Sequence, residues 1–544
     1  MMKFKIPFSL FLGLVFSLAN AQTFKKPKPG SPFINIGLGG GGYMHSPAMS
    51  PYDKKFMYTN CDMGCVYVTR DGGKKWRTIP FYDIAGREGI AVFDKKNIYL
   101  KGGGISVSSD KGRTWKIRKK FPWPKSKQPF RAFETLGIGS KYLAVGNDSG
   151  LWLSQNAGKN WKQTFKKKVI EVAGLGDNIF LAGEKSFWLS KNLGKTWKNI
   201  SPKNAGAKQI VCITAGQDGA GMVVFVLLDD KSTLLSSRDW GKTWASSKLG
   251  GAPVRSRNMV RMASNQSKIL FTNRKANKGG ELWRSKDSGK TWKRVAYCRK
   301  GWAPGTKDSE FAGRHKWGFG RLNFAVDPTN TKRVMFTTMS DIFISTNAGD
   351  TWKQMYNDDK GRIDKGSKDF FCTTRGLTMT SAWQFHFDPF DRKRQYICYT
   401  DFGFIRSIDG GKSWAGSPPA NSTYAIVFDP KKKGRIYGAA SGTHDIPGWG
   451  FTHDKKYGKG RVVYSDDHGD NWKTLGKGLP NIPCTHLALD KKRSKNGKLT
   501  FWATFYGRGG GGLYRSNDTG QTWKQIKGLG YSHNVNFLRV KIQP

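Results

Sequence analysis

Short runs of apolar residues recur along the chain, and each is followed by a similar polar turn. Residues 151–153 (Leu-Trp-Leu) and 342–344 (Ile-Phe-Ile) are examples, and their length is typical of buried β-strands. The polar turn has the pattern Ser/Thr-x-Asp/Asn-x-Gly-x-x-Trp, first seen at residues 69–76. We predict that each copy is a hairpin turn between antiparallel strands, with Trp as the first buried residue of the second strand.

The turn pattern occurs ten times. Its Asp or Asn stands at Asp71, Asp110, Asn156, Asn192, Asp239, Asp287, Asn347, Asp409, Asp467 and Asp518. The side chain accepts backbone N–H bonds across the turn, and the Gly two residues later takes a positive φ. Successive copies lie 36 to 62 residues apart, which is the length of a blade with several strands. We therefore predict an all-β fold, a β-propeller of about ten four-stranded blades with one such turn per blade.

The repeat resembles the Asp-box (BNR) repeat of sialidases, sortilin-type propellers and xyloglucanase-type (family 74) glycoside hydrolases. The xyloglucanase-type enzymes have two seven-bladed rings that face each other. Here the seventh box ends at Trp352, and the residues after it are too few for seven more blades. We therefore predict one ring of about ten blades, as in sortilin-type proteins, closed by pairing of residues 535–540 with residues 33–36. The resemblance implies architecture far more strongly than function.

The N-terminus has the pattern of a secretory signal. Lys3 and Lys5 precede the apolar run 8–18, and residues 19–21 (Ala-Asn-Ala) form a small-x-small cleavage site. No apolar run is long enough to span a membrane. We predict a signal peptide at 1–21, a basic linker at 22–32, the propeller at 33–544, and export to the periplasm or the medium.

The chain is strongly basic, with 92 Lys and Arg against 39 Asp and Glu and a formal net charge of +53. Such a charge favours anionic partners and disfavours self-association, so we predict a monomer. Lys or Arg follows the box Trp in eight copies, at Arg77, Lys116, Lys162, Lys198, Lys293, Lys353, Lys473 and Lys524. These residues either protect exposed blade edges from strand addition or retain the protein on an acidic polysaccharide. Nucleic acid is not expected, because no binding motif is recognisable.

Seven cysteines are an odd number for an exported protein, so at least one should stay free or pair with another chain. Cys61 with Cys65 and Cys372 with Cys398 are the candidate disulfides. Zinc is less favoured, because no second Cys or His pair has the required spacing. We predict neither a metal nor a cofactor.

The candidate chemistry lies outside the boxes. The Gly-rich residues 36–43 are followed by Asp62-x-Gly64, which resembles the opening of xyloglucanase-type enzymes, where an Arg-Thr-Asp-x-Gly-Gly motif carries a catalytic Asp. Asn60 and Cys61 stand in place of that Arg-Thr. Asp401-x-Gly403 is the best internal match, and Asp148-x-Gly150 is a looser one.

The resemblance implies that Asp62 and Asp401 are an acid/base pair of an inverting glycoside hydrolase, separated by ~6.5–9.5 Å. The alternative is that these aspartates cap a turn and bond the N–H of the following Gly. In a single ring of ten, their two blades would be three apart, which is a large distance for cooperation.

Loops rich in aromatic, basic and His-Asp residues are the candidate binding surface, since propellers bind ligands at the loop-lined mouth of the ring. The substrate-binding candidates are Trp302, Trp317, Trp383, His444, Asp445, Trp449, His453, Tyr506 and Arg508. The two His-Asp pairs in residues 441–454 could instead hold a metal, but their separation fixes no geometry, and a solvated loop is favoured.

The first hypothesis is therefore an exported carbohydrate-active propeller, a glycoside hydrolase acting on a β-glucan or an anionic polysaccharide. The alternative is a non-catalytic glycan- or protein-binding scaffold of the sortilin kind. A sialidase is disfavoured, because the chain has no Arg-Ile-Pro-like motif near its start.

Overall fold

The computed structural model describes residues 35–40, 42–62, 66–85, 89–124, 130–136, 140–202, 210–218, 221–229, 232–249, 260–263, 266–276, 279–298, 322–338, 341–361, 371–378, 380–442, 460–490, 497–507, 510–528 and 540. The chain divides into two compact units, Met1–Ile34 and Asn35–Pro544. The predicted signal peptide, linker and closing strand pair involve residues outside the described ranges and stay predictions.

In its described part the second unit is almost entirely β-structure. Ten sheets of this part have four antiparallel strands in simple chain order, and one further sheet has two. We number the four-stranded sheets as blades 1 to 10. Each contains one Asp-box, always between its third and fourth strands, so the prediction of ten four-stranded blades with one box each is confirmed.

Blades 1 to 4 are formed by β1 (Met44–Met49), β2 (Met57–Cys61), β3 (Val66–Thr69), β4 (Arg77–Ile79); β5 (Ala91–Phe93), β6 (Ile98–Lys101), β7 (Ile105–Ser108), β8 (Lys116–Arg118); β9 (Ala132–Thr135), β10 (Leu143–Asn147), β11 (Gly150–Ser154), β12 (Lys162–Phe165); β13 (Glu171–Leu175), β14 (Asn178–Ala182), β15 (Phe187–Ser190) and β16 (Lys198–Asn199). A short 3₁₀ helix, Phe81–Asp83, follows β4.

Blades 5 to 7 are formed by β17 (Ile210–Asp218), β18 (Gly221–Leu228), β19 (Thr233–Ser237), β20 (Ala245–Lys248); β21 (Val260–Arg261), β22 (Leu270–Ala276), β23 (Gly279–Ser285), β24 (Lys293–Cys298); β25 (Asn323–Asp327), β26 (Asn330–Thr337), β27 (Ile342–Ser345) and β28 (Lys353–Gln354). The two-stranded sheet consists of β29 (Asn357–Gly361) and β30 (Phe371–Thr374).

Blades 8 to 10 are formed by β31 (Ala382–Phe387), β32 (Gln395–Tyr399), β33 (Phe404–Ser407), β34 (Ala415–Gly416); β35 (Ser422–Phe428), β36 (Ile436–Ser441), β37 (Gly460–Ser465), β38 (Lys473–Leu475); β39 (Cys484–Asp490), β40 (Thr500–Phe505), β41 (Gly512–Ser516) and β42 (Lys524–Gln525).

Burial explains the sequence pattern of the strands. A middle strand has a neighbouring blade on both faces, so β18 is a nearly continuous apolar run of which only Gly221 is exposed. An outer strand has solvent beside it, and β4 buries only Ile79. The eight basic residues that follow the box Trp each begin an outer strand and are exposed, as predicted.

The Asp-box has the same hydrogen bonds in each blade. In blade 1, Thr69 Oγ1 accepts a bond from Gly73 N at 2.9 Å, and Asp71 Oδ1 accepts one from Lys75 N at 2.9 Å. The residue after the Asp and the Gly both have positive φ, 78° and 88° in blade 1. The predicted turn is confirmed. The box Trp is fully buried in four blades, at Trp76, Trp352, Trp414 and Trp523, and is half-buried in the other six.

Blade 7 packs against blade 1. Met44 N donates to Thr338 O at 3.0 Å, and Thr337 Oγ1 donates to Met44 O at 3.0 Å. Trp76 of blade 1 and Phe336 of blade 7 belong to one buried cluster. The first seven blades therefore close on themselves.

The indole N–H groups of several box Trp residues give independent support for this closure. Each bonds a carbonyl of the preceding blade or of the segment that follows it: Trp197 bonds Thr164 O at 2.7 Å, Trp244 bonds Ile200 O at 3.0 Å, and Trp352 bonds Val295 O at 3.0 Å. By the same rule Trp76 of blade 1 bonds Met355 O, just after blade 7, at 3.0 Å. Blade 7 is thus the neighbour that precedes blade 1 in the ring.

The prediction of one ring of ten blades is therefore wrong. The number of residues after Trp352 allowed three or four blades, and the described residues there form three four-stranded blades and one two-stranded sheet. They form a second group beside the closed ring. Because β31 follows the two-stranded sheet rather than a complete blade, its Phe385 and Phe387 are 42% and 56% exposed.

Candidate functional site

The three Asp-x-Gly motifs occupy equivalent places in their blades. Asp62, Asp148 and Asp401 each lie in the turn between the second and third strands of blades 1, 3 and 8. In a four-stranded antiparallel meander this turn is at the opposite end from the Asp-box. Within the seven-bladed ring, Asp62 and Asp148 therefore lie at the face away from the boxes.

Asp148 has a structural role. The neighbouring Asn147 Oδ1 caps the turn, accepting bonds from Ser149 N at 2.9 Å and Gly150 N at 3.1 Å. The Asp148 carboxylate instead accepts a bond from Arg131 Nε at 2.6 Å. The capping alternative thus describes this turn, although the capping side chain is the Asn that precedes the Asp.

Asp62 is exposed at the end of β2. Its backbone N–H donates to Tyr43 O at 3.0 Å, and Cys61 Sγ lies 3.5 Å from its Oδ1. Gly64 lies outside the described residues, so the capping alternative is not tested at this turn. The Gly-rich segment predicted to lead to Asp62 does contact it, through Tyr43.

Asp401 has an unusual backbone. Its φ is 64°, and outside the boxes only one other described non-glycine residue, Ser46, has a positive φ. Residues in this region carry strain that the surrounding structure must offset, and such residues cluster at functional sites. The carboxylate accepts long hydrogen bonds of 3.4 Å from Thr380 Oγ1 and from Asn421 Nδ2. Both groups belong to segments that flank blade 8, and the Thr380 hydroxyl makes its shorter bond, of 2.7 Å, to Thr400 O.

One junction, which we call the seam, connects the two aspartates. It consists of the described residues of 37–43 and 371–380. Gly40 N donates to Leu377 O at 2.8 Å, and Thr374 N donates to Gly37 O at 3.0 Å. At one end Tyr43 O accepts the bond from Asp62 N, and at the other end Thr380 contacts Asp401. The closed ring also bonds the seam directly, through Tyr67 Oη to Thr378 O at 2.8 Å.

Glycine is required in the seam because neighbouring backbone comes very close to it. A Cβ on Gly39 would lie 2.3 Å from Tyr356 O, and Gly37 and Gly40 have φ of 89° and 102°. The glycine run that resembles the opening of xyloglucanase-type enzymes is thus explained by backbone contact between the ring and the second group.

Two of the predicted binding residues, Trp383 and Tyr506, meet beside Asp401. They form a cluster with Tyr424, in which the rings of Trp383 and Tyr424 are 5.0 Å apart at a near-perpendicular angle. Trp383 Nε1 donates to Thr400 Oγ1 at 2.7 Å, directly adjacent to Asp401 in the chain. Trp383 is half-buried, whereas Tyr424 and Tyr506 are buried. We call Trp383, Thr400, Asp401, Tyr424 and Tyr506 the aspartate–aromatic cluster.

Sequence reasoning missed polar residues on the innermost strands of this group. Gln384 Oε1 lies 2.8 Å from His386 Nε2 and accepts a bond from Ile426 N at 3.1 Å. Gln384 Nε2 lies 3.3 Å from His486 Nε2, on the first strand of blade 10. Burial lowers the pKa of His386, which favours its neutral form. The signal that could have found these residues is the Trp383-Gln384-Phe385-His386 run, from which only the Trp was selected.

The other predicted binding residues lie outside the described ranges. They are Trp302, Trp317, His444, Asp445, Trp449, His453 and Arg508. Their assignment stays a prediction.

A second group of charged residues, also missed from the sequence, lies on the innermost strands of the ring. Glu171 on β13 accepts bonds from Arg261 Nη2 at 2.9 Å and from Ile213 N at 3.1 Å. Glu134 on β9 is close enough to both charges to interact with them. Desolvation by the surrounding strands and the charge of Glu171 raise the pKa of Glu134 to about 7, against the opposing effects of Arg261 and of the bond from Thr135 N. The side chain itself is exposed to solvent. We call Glu134, Glu171 and Arg261 the channel cluster, because inner strands line the channel of a propeller.

The candidate disulfide between Cys372 and Cys398 is not formed. Cys398 is a free, fully buried thiol whose pKa is raised by burial. It lies in the apolar cluster between blades 8 and 9, which explains its presence without a covalent partner. Cys65 lies outside the described residues, so the Cys61–Cys65 pair stays a prediction.

Within the described ranges, no three His, Cys, Asp or Glu side chains are grouped closely enough to hold a metal ion. The same ranges contain no helix with the length and hydrophobicity needed to cross a bilayer.

Comparisons with known proteins agree with this fold. A family model described as "Sortilin, neurotensin receptor 3" matches residues 185–310, and a search of curated proteins finds no match. An ancestral family 74 glycoside hydrolase (GH74) superposes with a TM-score of 0.63 at 15% identity, covering 90% of this chain and 71% of that chain.

Two further GH74 structures match with lower scores. The xyloglucanase from Xanthomonas campestris has a TM-score of 0.45 at 14% identity, covering 91% of this chain and 94% of that chain. The enzyme from Niastella koreensis has a TM-score of 0.46 at 16% identity, covering 91% and 93%. The chain is thus a β-propeller that resembles GH74 and sortilin-type propellers, as the Asp-boxes predicted, and at these identities the resemblance shows the fold alone.

Proposed function

We propose that this chain is an exported glycoside hydrolase that cleaves a polysaccharide at the seam, with Asp62 and Asp401 as the acid/base pair. The observation that carries the proposal is the aspartate–aromatic cluster: a carboxylate on strained backbone, next to an aromatic group, at the junction of two sets of blades. Clefts between packed units are preferred ligand sites, and aromatic faces suit sugar rings.

The chemistry requires two carboxyl groups with different roles. One carboxylic acid protonates the leaving oxygen of the glycosidic bond, and one carboxylate activates a water molecule on the opposite side of the sugar. Asp62 and Asp401 contact the two ends of one seam, which supports a cleft that both residues share. In a single ring of ten blades, by contrast, their two blades would be three apart. Thr380 and Asn421 lie beside the Asp401 carboxylate, and Trp383 offers a half-buried indole for stacking. The apparent signal sequence supports export.

The test is hydrolysis of neutral β-glucans and acidic polysaccharides by wild type and by Asp62→Asn and Asp401→Asn. We expect each variant to lose about 10²-fold or more in rate, because general acid–base catalysis contributes that much. Asp148→Asn is the matched control, since Asp148 occupies the same turn in blade 3 and pairs with Arg131. Hydrolysis that is equal in all four proteins, or absent from wild type on every substrate, would refute the hydrolase.

The second candidate is a non-catalytic glycan-binding or scaffold propeller. It is favoured by the exposed basic residues that begin eight outer strands, because they surround the blades rather than converge on one cleft. This candidate predicts that wild type retains acidic polysaccharide without cleaving it. It also predicts that Asp62→Asn and Asp401→Asn leave the retention unchanged.

A further inference from the structure

Three arginines in the described chain are almost fully buried, with 3–4% exposure: Arg274, Arg284 and Arg406. Two of them have an acidic partner from the Asp-box of the next blade. Arg284 Nη1 bonds Asp350 Oδ1 at 2.8 Å and Ala348 O at 2.7 Å, and Arg406 forms an ion pair with Asp470. These two are ordinary buried cations, with their charge compensated.

Arg274 differs from them. Among the described residues, none of its three guanidinium nitrogens has a hydrogen-bond partner. The guanidinium lies over the indole of Trp283, 4.6 Å from the ring centre, which compensates a buried charge only in part. Arginine does not release its proton in proteins, so the side chain remains a cation.

The acid that faces Arg274 across the hairpin already accepts hydrogen bonds from other donors. Glu281 is directly opposite Arg274 in the register of β22 and β23. Its Oε1 accepts a bond from Arg294 at 2.9 Å, and its Oε2 accepts one from Trp283 Nε1 at 2.8 Å. Burial lowers the pKa of Arg274 while Glu281 acts against that effect. Counted over the described residues, Arg274 and Arg294 share the single carboxylate of Glu281, which leaves one positive charge in excess.

A buried cation whose five N–H donors are unused destabilises a fold, and its natural complement is an oxyanion that accepts two hydrogen bonds from the guanidinium plane. Arg274 also has a suitable position. The hairpin of β22 and β23 joins the second and third strands of blade 6, so its turn lies at the same face of the ring as that of Asp62.

We propose that Arg274, supported by Trp283, is an anion-binding site that receives the carboxylate or sulfate group of an acidic polysaccharide. The inference rests on the proposed function and narrows it, since it assigns the substrate to the acidic class rather than to neutral β-glucans. Trp283 is held by its bond to Glu281, so the stacked guanidinium has a fixed orientation before the ligand arrives.

The test compares wild type with Arg274→Met and with Arg284→Met, which removes an equally buried but compensated arginine. Both variants lose one positive charge, so any non-specific loss of affinity is the same in both. Calorimetry measures the binding of a uronic-acid oligosaccharide, a sulfated oligosaccharide and a neutral gluco-oligosaccharide. The first two ligands distinguish carboxylate from sulfate, and the third controls for sugar stacking alone.

We expect Arg274→Met to weaken binding of at least one acidic oligosaccharide about tenfold or more, the effect of one charged hydrogen bond. Binding of the neutral oligosaccharide should not change. Without ligand, Arg274→Met should raise the unfolding midpoint by about 1–2 °C, because an uncompensated buried charge is removed, whereas Arg284→Met should lower it. Arg284→Met should keep its affinity for the acidic ligand.

The inference is wrong if wild type binds neither acidic oligosaccharide, if both variants lose affinity equally, or if Arg274→Met lowers the midpoint and keeps the affinity. The outcome is independent of turnover. Acidic binding through Arg274 without any cleavage would refute the hydrolase and keep this site. Cleavage of neutral glucans that does not depend on Arg274 would keep the hydrolase and refute this site.

Discussion

The carboxylate of a box aspartate collects hydrogen bonds from its own turn. Asp518 accepts bonds from Thr522 N at 3.0 Å, Thr522 Oγ1 at 2.5 Å and Ser516 Oγ at 2.7 Å. Burial opposes ionisation, but these bonds outweigh it and lower the pKa to about 2. Asp110 and Asp287 have pKa values of about 2 for the same reason. The boxes are therefore a distributed source of acid sensitivity.

The first prediction concerns Asp518→Asn. Since the folded pKa is depressed below the ordinary value of 3.8, ionised Asp518 stabilises the fold above about pH 4, and this contribution is lost as the pH falls through about 2. Asparagine keeps the turn, as it does in three natural boxes, but does not titrate. Between pH 4 and pH 2, the unfolding free energy of the variant should fall by about 1 kcal/mol less than that of wild type. Urea unfolding at both pH values measures this difference. An unchanged pH slope would contradict the role given to this carboxylate.

At the scale of the element, the two glycines of the first box are not equivalent. Gly72 has a φ of 78° with open space around its Cα, and seven other side-chain types stand at this position in the remaining boxes. Gly73 has a φ of 88°, and a Cβ there would lie 2.6 Å from Met355 Sδ, beyond the end of blade 7. Gly72 satisfies only the local turn, whereas Gly73 satisfies the turn and also permits the contact with Met355.

The second prediction follows from this difference. Gly72→Ala should change the unfolding free energy by about 1 kcal/mol or less, because alanine already occupies the same position at Ala157 and Ala348. Gly73→Ala should cost about 2–4 kcal/mol, since strain and overpacking against Met355 add together. Chemical unfolding of both variants checks the pair. Equal small effects would argue against close contact between blades 1 and 7.

The box was predictable from sequence because its defining hydrogen bonds, such as Gly73 N to Thr69 Oγ1 and Lys75 N to Asp71 Oδ1, join residues within one eight-residue turn. The ring was not, because its closure depends on contacts such as Met44 with Thr338, which no local pattern encodes. A length argument counted the blades after Trp352 correctly but assumed that every blade belongs to one ring.

For the candidate site too, local sequence signals were predictable and contacts between distant residues were not. Asp62 and Asp401 could be selected by motif, and Trp383 and Tyr506 by composition, because each of these signals is local. The meeting of Trp383, Tyr424 and Tyr506 depends on the packing of three blades. The unpaired state of Arg274 depends on Glu281 being occupied by other donors, which also requires the folded sheet.

At the scale of the whole molecule, the channel cluster connects distant blades of the ring. Arg261 of blade 6 bonds Glu171 of blade 4, and Glu171 also accepts the backbone N–H of Ile213 in blade 5. Glu134 of blade 3 interacts with the charges of both partners. Inner strands from four successive blades thus contribute to one electrostatic group, whose state depends on pH.

The third prediction is the pH dependence of Glu134→Gln. The folded pKa of Glu134 is about 7, raised from 4.5, so the unfolded chain ionises this group first as the pH rises. Below about pH 4.5, wild type and the variant should therefore show the same pH dependence of the unfolding free energy. Between pH 4.5 and 7 the unfolding free energy of wild type should fall relative to that of the variant, and above pH 7 the difference should stay constant. Because the side chain keeps solvent contact, we expect a plateau of only about 1 kcal/mol.

Urea unfolding of wild type and Glu134→Gln from pH 4 to 8 measures this difference. Glu171→Gln is the matched control, since it removes the same charge from the same channel but breaks the bond to Arg261. It should be less stable than wild type at neutral pH, by about 1 kcal/mol, because a half-buried ion pair loses one partner. A variant Glu134→Gln that is less stable than wild type at pH 8 would contradict this prediction. It would mean that ionised Glu134, like Glu171, is stabilised by a positive charge in the channel.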